Sequence, residues 1–378
     1  MDSSRIAVKT NNLGLDRHEA IETVAEWGIG GVHITASGPF EPENLGKQDR
    51  KDLIKFVEDL GMEISAIMKW GGAVDLAEEE NWEANIEEGK SLLELAADLE
   101  CGIWGAHVGI MPWETSDPGW DRMVRAMAQL AEHGEAVGAC VAIEMGPEPP
   151  SIVRRLIETV GSDAIRVNYD PANLIIWPAL LAKRNESEYD KEWALEHYEP
   201  TDGAETLGEF VVHCHAKDAL VKDDGEYQEV PLGTGWVDFP RWKSLLDDAG
   251  YDGFYAIERE VGDDPIGDIR EAVEFLRGAV RAARQPEVVS HARCCADAAQ
   301  RSSAHRRLRA GGACERTGAD RVDEGPPARD RQQVRVHAGL RLPQGSGQTP
   351  ALHGGYQVPW LHRMGPARRW RHLDGRGV

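Results

Sequence analysis

The stretch Phe210-Val-Val-His-Cys-His-Ala-Lys-Asp218 decides the fold. Read at period two, Val211, His213, His215 and Lys217 share one face, while Val212, Cys214 and Ala216 share the other. Such alternation marks a strand, because successive strand side chains point to opposite sides. An apolar face meets helices, which sends the ionisable face inward. Three further stretches repeat the pattern. In Cys140–Met145, the face Cys140, Ala142 and Glu144 opposes Val141, Ile143 and Met145. In Ala164–Asp170, Arg166, Asn168 and Asp170 oppose Ile165, Val167 and Tyr169. In Gly253–Glu260, Ala256, Glu258 and Glu260 oppose Ile257 and Arg259.

Working outward, the runs Arg5–Asn11, Gly31–Ala36, Glu63–Trp70 and Ile103–Ile110 complete a set of eight strands. They carry Lys9, His33, Lys69 and His107 near their C-terminal ends. A helical run follows each strand: Asp16–Trp27, Arg50–Leu60, Asn85–Leu99, Asp121–Val137, Ser151–Val160, a long segment after Asn173, Phe239–Ala249 and Asp268–Ala283. Gly28, Gly61, Gly138, Gly161 and Gly250 stand where helix C-terminal caps belong. Eight β–α units predict an α/β fold, a parallel (β/α)8 TIM barrel over residues 1–285. The count disfavours the competing doubly wound open sheet. Barrel interiors are ordinarily layered with Val, Ile and Leu, so this many ionisable side chains point to an active site at the C-terminal mouth.

Two regions fall outside the repeat. Residues 174–207 form an insertion after the sixth strand, at the same mouth, and read as a lid, an oligomer contact or a plain surface excursion. Residues 286–378 hold 16 Arg, no Lys and 8 acids, with no sustained helix or strand period. They read as a basic disordered tail or as translation out of frame, with no function of their own. Residues 1–285 carry 26 basic and 57 acidic side chains. A field of that sign repels nucleic acid and anionic lipid, and it keeps a protein soluble in concentrated salt, as in halophiles. No apolar run approaches the ~20 residues of a membrane span, and Met1–Arg5 lacks a signal peptide's apolar stretch. The expected location is the cytoplasm. The six cysteines include no C-x-x-C pair, so neither a zinc ribbon nor a disulfide framework is indicated.

Four ionisable groups stand at the ends of four successive strands: Glu144, Asp170, His215 and Glu258. Adjacent strands lie ~4.8 Å apart, so the four side chains can converge on one point. Three carboxylates and an imidazole suit Mn²⁺ best, with Mg²⁺, Co²⁺ or Zn²⁺ also compatible. The alternative is a set of barrel-end salt bridges with Lys9, Lys69 and Lys217. Burying like-charged carboxylates without a cation is costly, which favours one divalent metal.

The strings Glu144-Met-Gly-Pro-Glu148, Val167-Asn-Tyr-Asp-Pro-Ala-Asn173, His213-Cys-His-Ala-Lys-Asp218 and Ile257-Glu-Arg-Glu260 resemble the sugar phosphate isomerase/epimerase family of the xylose-isomerase-like TIM-barrel superfamily, over about residues 5–284. The resemblance implies one divalent metal held by a Glu, an Asp, a His and a Glu, roles that fall on Glu144, Asp170, His215 and Glu258. In the family's ketose 3-epimerases the two glutamates also exchange the substrate proton, which makes Glu144 and Glu258 the catalytic pair. The second His of those enzymes, three residues after the Asp, is Asn173 here, and the Arg expected soon after the metal His is not evident. His107, His213, Lys217, Glu148 and Asn173 are candidates to touch substrate; an interior role for His213 and an ion pair for Lys217 are the plainer readings. Gly233-Thr-Gly235 follows strand seven, where many barrels bind phosphate, although Gly-x-Gly is also an ordinary turn.

These features predict a metal-dependent isomerase or epimerase of a sugar or sugar phosphate. It would work through an enediolate formed by proton abstraction next to a carbonyl. The substrate is a small sugar or polyol, and homo-oligomers are compatible with the insertion. A lyase resembling inosose dehydratases is the close alternative. A phosphodiesterase like the apurinic endonucleases fits less well, since residues 1–285 contain only seven His and the charge opposes DNA. A non-catalytic sugar-binding barrel is the remaining alternative.

Overall fold

A computed structural model describes residues 1–69 and 75–283. Its strands are β1 (Ile6–Lys9), β2 (Gly31–Thr35), β3 (Glu63–Met68), β4 (Ile103–Ala106), β5 (Cys140–Glu144), β6 (Ile165–Tyr169), β7 (Val211–Ala216), β8 (Asp218–Val221), β9 (Tyr227–Val230) and β10 (Tyr255–Ile257). Eight of them close into a parallel barrel in the order β1-β10-β7-β6-β5-β4-β3-β2. The remaining two, β8 and β9, form an antiparallel hairpin beyond the seventh barrel strand. That hairpin goes beyond the sequence expectation, which ran strand seven on to Asp218.

Helices α1 (Arg17–Ala25), α2 (Lys47–Asp59), α3 (Trp82–Asp98), α4 (Pro118–Val137), α5 (Pro150–Val160), α6 (Asn173–Arg184), α7 (Lys191–Tyr198), α8 (Gly203–Leu207), α9 (Phe239–Asp248) and α10 (Pro265–Ala283) surround the barrel. Their ends follow local chemistry. Asp117 caps α4 by accepting the Gly119 N–H at 2.8 Å, and Pro118 supplies the first turn, where a missing N–H costs nothing. At the other end Gly138 takes φ +81° and returns its N–H to the Gly134 carbonyl at 2.8 Å. Gly161 closes α5 in the same way, at φ +70°. A side chain would be strained at either position.

The apolar strand faces meet the helices as expected. Val141, Ile143, Ile165 and Val167 join Leu130, Val153 and Leu156 in one continuous buried core. The insertion resolves into three helices, and it is part of that core: Leu174, Ile175, Ile176 and Trp177 of α6 are buried, and α6 packs against β8 and β9. Cys101, Cys140 and Cys214 are free thiols. The reading of residues 286–378 as a tail lies outside the described residues.

Register places the ionisable faces together. Glu144 pairs with Asn168, Asn168 with His213, and Ala256 with His215. A register shift between Val167 and Asn168 breaks the β6–β7 ladder just below the mouth, the kind of irregularity that re-aims side chains beside a site.

Candidate metal centre

Glu144 ends β5, His215 lies within β7, and Asp170 and Glu258 follow immediately after β6 and β10. All four are buried, and one ligand atom from each lies within 4.8 Å of the others. Nδ1 of His215 is the centre of the group. It stands 3.0 Å from Glu144 Oε1, 3.3 Å from Glu258 Oε2 and 3.8 Å from Asp170 Oδ2. Asp170 Oδ1 accepts the Ala172 and Asn173 N–H groups at 2.9 and 3.2 Å. Its Oδ2 is buried with no hydrogen-bond partner. An open carboxylate oxygen facing two other carboxylates and an imidazole nitrogen fits a divalent cation, and the mixed oxygen and nitrogen donors suit Mn²⁺ or Mg²⁺ chemistry.

The salt-bridge alternative is present too, in part. Lys9 donates to Glu258, and Lys217 Nζ lies 3.0 Å from Glu258 Oε2 and 2.7 Å from Glu260 Oε2. Lys69 does not join them; it turns out of the mouth to Glu88 on α3. Burial opposes ionisation of Glu258, yet Lys217, Lys9 and His215 outweigh it and hold its carboxyl well below the usual range. Burial is likewise overcome at Glu144 by His107 and His215. At Asp170 burial wins and the pKa is raised, with Lys217 working against it. Lys9 and Lys217 pair with Glu258 and Glu260, while Asp170 Oδ2 and Glu144 Oε1 stay beside His215 Nδ1, so the ion pairs leave room for a cation there.

The family profile described as xylose isomerase-like TIM barrel matches residues 21–279. The chain belongs to that family. Solved structures agree on the fold. A xylose isomerase domain protein from Planctomyces limnophilus is 24% identical with a TM-score of 0.62, covering 74% of this chain and 98% of its own. A xylose isomerase-like TIM-barrel protein from Mycobacterium smegmatis, in complex with magnesium, is 19% identical with a TM-score of 0.54, covering 71% and 89%. D-psicose 3-epimerase from Clostridium cellulolyticum H10, solved with D-tagatose, is 16% identical with a TM-score of 0.54, covering 73% and 99%. No curated protein matches the chain. Among the described residues no helix is long and apolar enough to cross a membrane.

Around the metal cluster, this xylose isomerase-like barrel arranges the other candidates at different depths. His107 Nε2 lies 2.9 Å from Glu144 Oε2. Asn173 Nδ2 donates to Glu144 Oε1 at 3.2 Å and to the Met145 carbonyl at 3.0 Å, so its amide orients Glu144. Glu148 is buried, its Oε1 accepting the Met111 N–H at 2.6 Å, and burial pushes its carboxyl up to about 8. His213 sits on the barrel floor with no exposed surface. Its Nδ1 is 3.0 Å from Asn168 Oδ1 and its Nε2 is 3.2 Å from Ser65 Oγ, the plainer interior arrangement.

Sequence reasoning passed over two residues here. Asn168 Nδ2 lies 3.1 Å from His215 Nε2, and His33 Nδ1 lies 3.3 Å from the same nitrogen. They hold the far side of the imidazole while Nδ1 faces the carboxylates, the support that sets a ligand's tautomer and orientation. Burial and the neighbouring imidazoles keep the pKa of His33 well below the ordinary value, so His33 is a neutral neighbour for His215. The signal was available. Asn168 lies on the same face of its strand as Asp170.

The Gly233-Thr-Gly235 turn is not open to a ligand. Its N–H groups at Gly233 and Gly235 both donate to Asp218 Oδ2, at 2.9 Å each.

Proposed function

We propose that this chain is a divalent-metal-dependent isomerase or epimerase of a small sugar or polyol. It would move a proton on a carbon beside a carbonyl. The observation that carries the reading is the pair Glu144 and Glu258. They are the outer members of a four-strand arc, buried, ionised, and 3.0 and 3.3 Å from the same imidazole nitrogen. Glu144, Asp170, His215 and Glu258 would hold the cation, with Mn²⁺ the proposed ion. When bound, it supplies electrophilic stabilisation of negative charge on the substrate's oxygens.

The chain's own residues do the rest. Glu258, kept ionised by Lys9 and Lys217, accepts the carbon-bound proton and hands it back to the neighbouring carbon in an isomerisation; in an epimerisation Glu144 would first take up a proton from solvent and then deliver it from the other side of the arc. Asn173 holds Glu144 in place. His107, beside Glu144 Oε2, is positioned to bind a substrate hydroxyl at the mouth. Buried α6 and the strand-end carboxylates keep bulk water from the reacting carbon. Glu148 favours a second reading. A carboxyl raised to about 8 is an acid at neutral pH, able to protonate a departing hydroxyl, as an inosose-dehydratase-like lyase requires. Mn²⁺-loaded protein incubated in D2O with ketoses and inososes tests both. Deuterium entering beside the carbonyl supports the isomerase or epimerase reading, loss of water supports the lyase, and neither outcome with any substrate contradicts both.

A further inference from the structure

The loop after the hairpin and the charges at the strand ends bear on the substrate class of the site just proposed. In TIM barrels the loop after the seventh barrel strand commonly takes a phosphate, and successive backbone N–H groups in such a loop form an anion-binding concavity. Here Gly233, at φ +81° against the ring of Phe275, turns the chain so that its N–H and that of Gly235 converge. The concavity is filled from within. Asp218 Oδ2 accepts from Gly233 and Gly235 at 2.9 Å, and Oδ1 accepts from Ala219 at 2.9 Å and Val237 at 3.2 Å. Asp218 has no exposed surface, and a Cβ on Gly235 would collide with its Oδ1. Four donors on two oxygens leave those amides nothing to offer a ligand.

The cations at the strand ends are engaged as well. Lys9 faces Glu258, Lys217 faces Glu258 and Glu260, Lys69 faces Glu88, and Arg259 faces Glu229 at 2.8 Å and Asp268 at 3.1 Å. Residues 70–74 add no Lys or Arg. Among the described residues these four cations already face carboxylates, so a phosphate dianion brought to them would meet carboxylates first and its desolvation would go uncompensated.

We infer that Asp218 is a resident anion in the place a substrate phosphate would take, and that the site selects an uncharged sugar or polyol against its phosphate ester. This rests on the proposed function for the reaction and on the loop geometry for the selection.

Two measurements on the full chain separate these. In the first, Mg²⁺-loaded protein in D2O is given a panel of free ketoses and their terminal phosphate esters. Exchange at least about tenfold faster for the free sugar, or ~1.4 kcal/mol of discrimination, supports the inference. Equal or faster exchange for the ester overturns it while leaving the proton chemistry standing. In the second, the thermal midpoint is followed in inorganic phosphate against KCl of matched ionic strength. No phosphate-specific rise in the wild type, with a rise in Asp218→Gly, supports a resident anion. A phosphate-specific rise in the wild type overturns it, whether or not the variant folds. If no sugar exchanges at all, the proposed reaction fails and this titration still decides the role of Asp218.

Discussion

Asp170 and Asp218 are both fully buried aspartates at the barrel mouth, and their surroundings make them opposites. Asp218 opens β8 beside the Gly233–Gly235 loop, with four backbone N–H groups on its two oxygens. Asp170 sits in the strand-end ring with two N–H groups on one oxygen and no hydrogen bond on the other, which points toward His215 and Lys217 at 3.8 and 3.9 Å. A buried acceptor left open costs about 1–3 kcal/mol, so a fold keeps one only where something else benefits. The difference teaches that burial alone does not mark a ligand. What marks it is acceptor capacity left open toward other ligand atoms. By that standard the ring is the candidate metal site and the loop is structure.

The largest expected effect is in the ring. Glu258→Gln keeps the length and one oxygen but cannot take a proton at neutral pH. Turnover measured at saturating Mn²⁺ should fall by ~10² or more, the usual scale for a lost general base. Full recovery at saturating metal would move the proton transfer to Glu144 or His107.

The contrast between the two aspartates is next. Asp218→Asn sets an amide NH2 against backbone donors, and the urea midpoint should drop by the equivalent of about 1–3 kcal/mol. Asp170→Asn, in EDTA-treated protein, should lose little or gain. It removes a charge that burial disfavours and that stands near Glu258. Equal losses would erase the distinction.

An effect spread over the pH scale concerns Glu148, whose folded pKa is about 8 against an ordinary 4.5. Below the ordinary value both folded and unfolded chains hold the proton, and the stabilisation from the neutral carboxyl is complete. Between the two values only the folded chain holds it, so stability falls as pH rises, by up to about 1.4 kcal/mol per unit, and levels off above 8. Glu148→Gln should lack this slope. Parallel wild-type and variant curves would show that Glu148 titrates normally. Most diffuse is the self-repulsion of 57 acids against 26 bases in residues 1–285. The thermal midpoint should rise between dilute buffer and molar KCl as salt screens it, and a flat or falling curve would rule out the halophilic reading.

The barrel was legible because each strand alternates at period two and helices end at glycines such as Gly138 and Gly161. The four ring residues were legible for the same reason, since period two assigns each to an inward face. Lys69 was not, because the rule stops at the strand end. One residue beyond β3 its side chain reaches Glu88 on α3. The β8–β9 hairpin merged with strand seven because Val211–Val221 is nearly continuous β-forming sequence. Only Asp224-Gly225 signalled its turn. Asn168 was read as inward-facing but not as support for His215, since that role depends on His33 and Ser65 arriving from β2 and β3. Periodicity along one strand does not report partners across the barrel.

The central claim is that Glu144, Asp170, His215 and Glu258 bind one divalent cation. Titration of EDTA-treated protein with Mn²⁺, with free ion followed by electron paramagnetic resonance, tests it without any substrate. The wild type should bind one tight equivalent per chain, with affinity falling at least tenfold in Asp170→Asn and in His215→Ala. No stoichiometric site, or one that both variants leave unchanged, would contradict it.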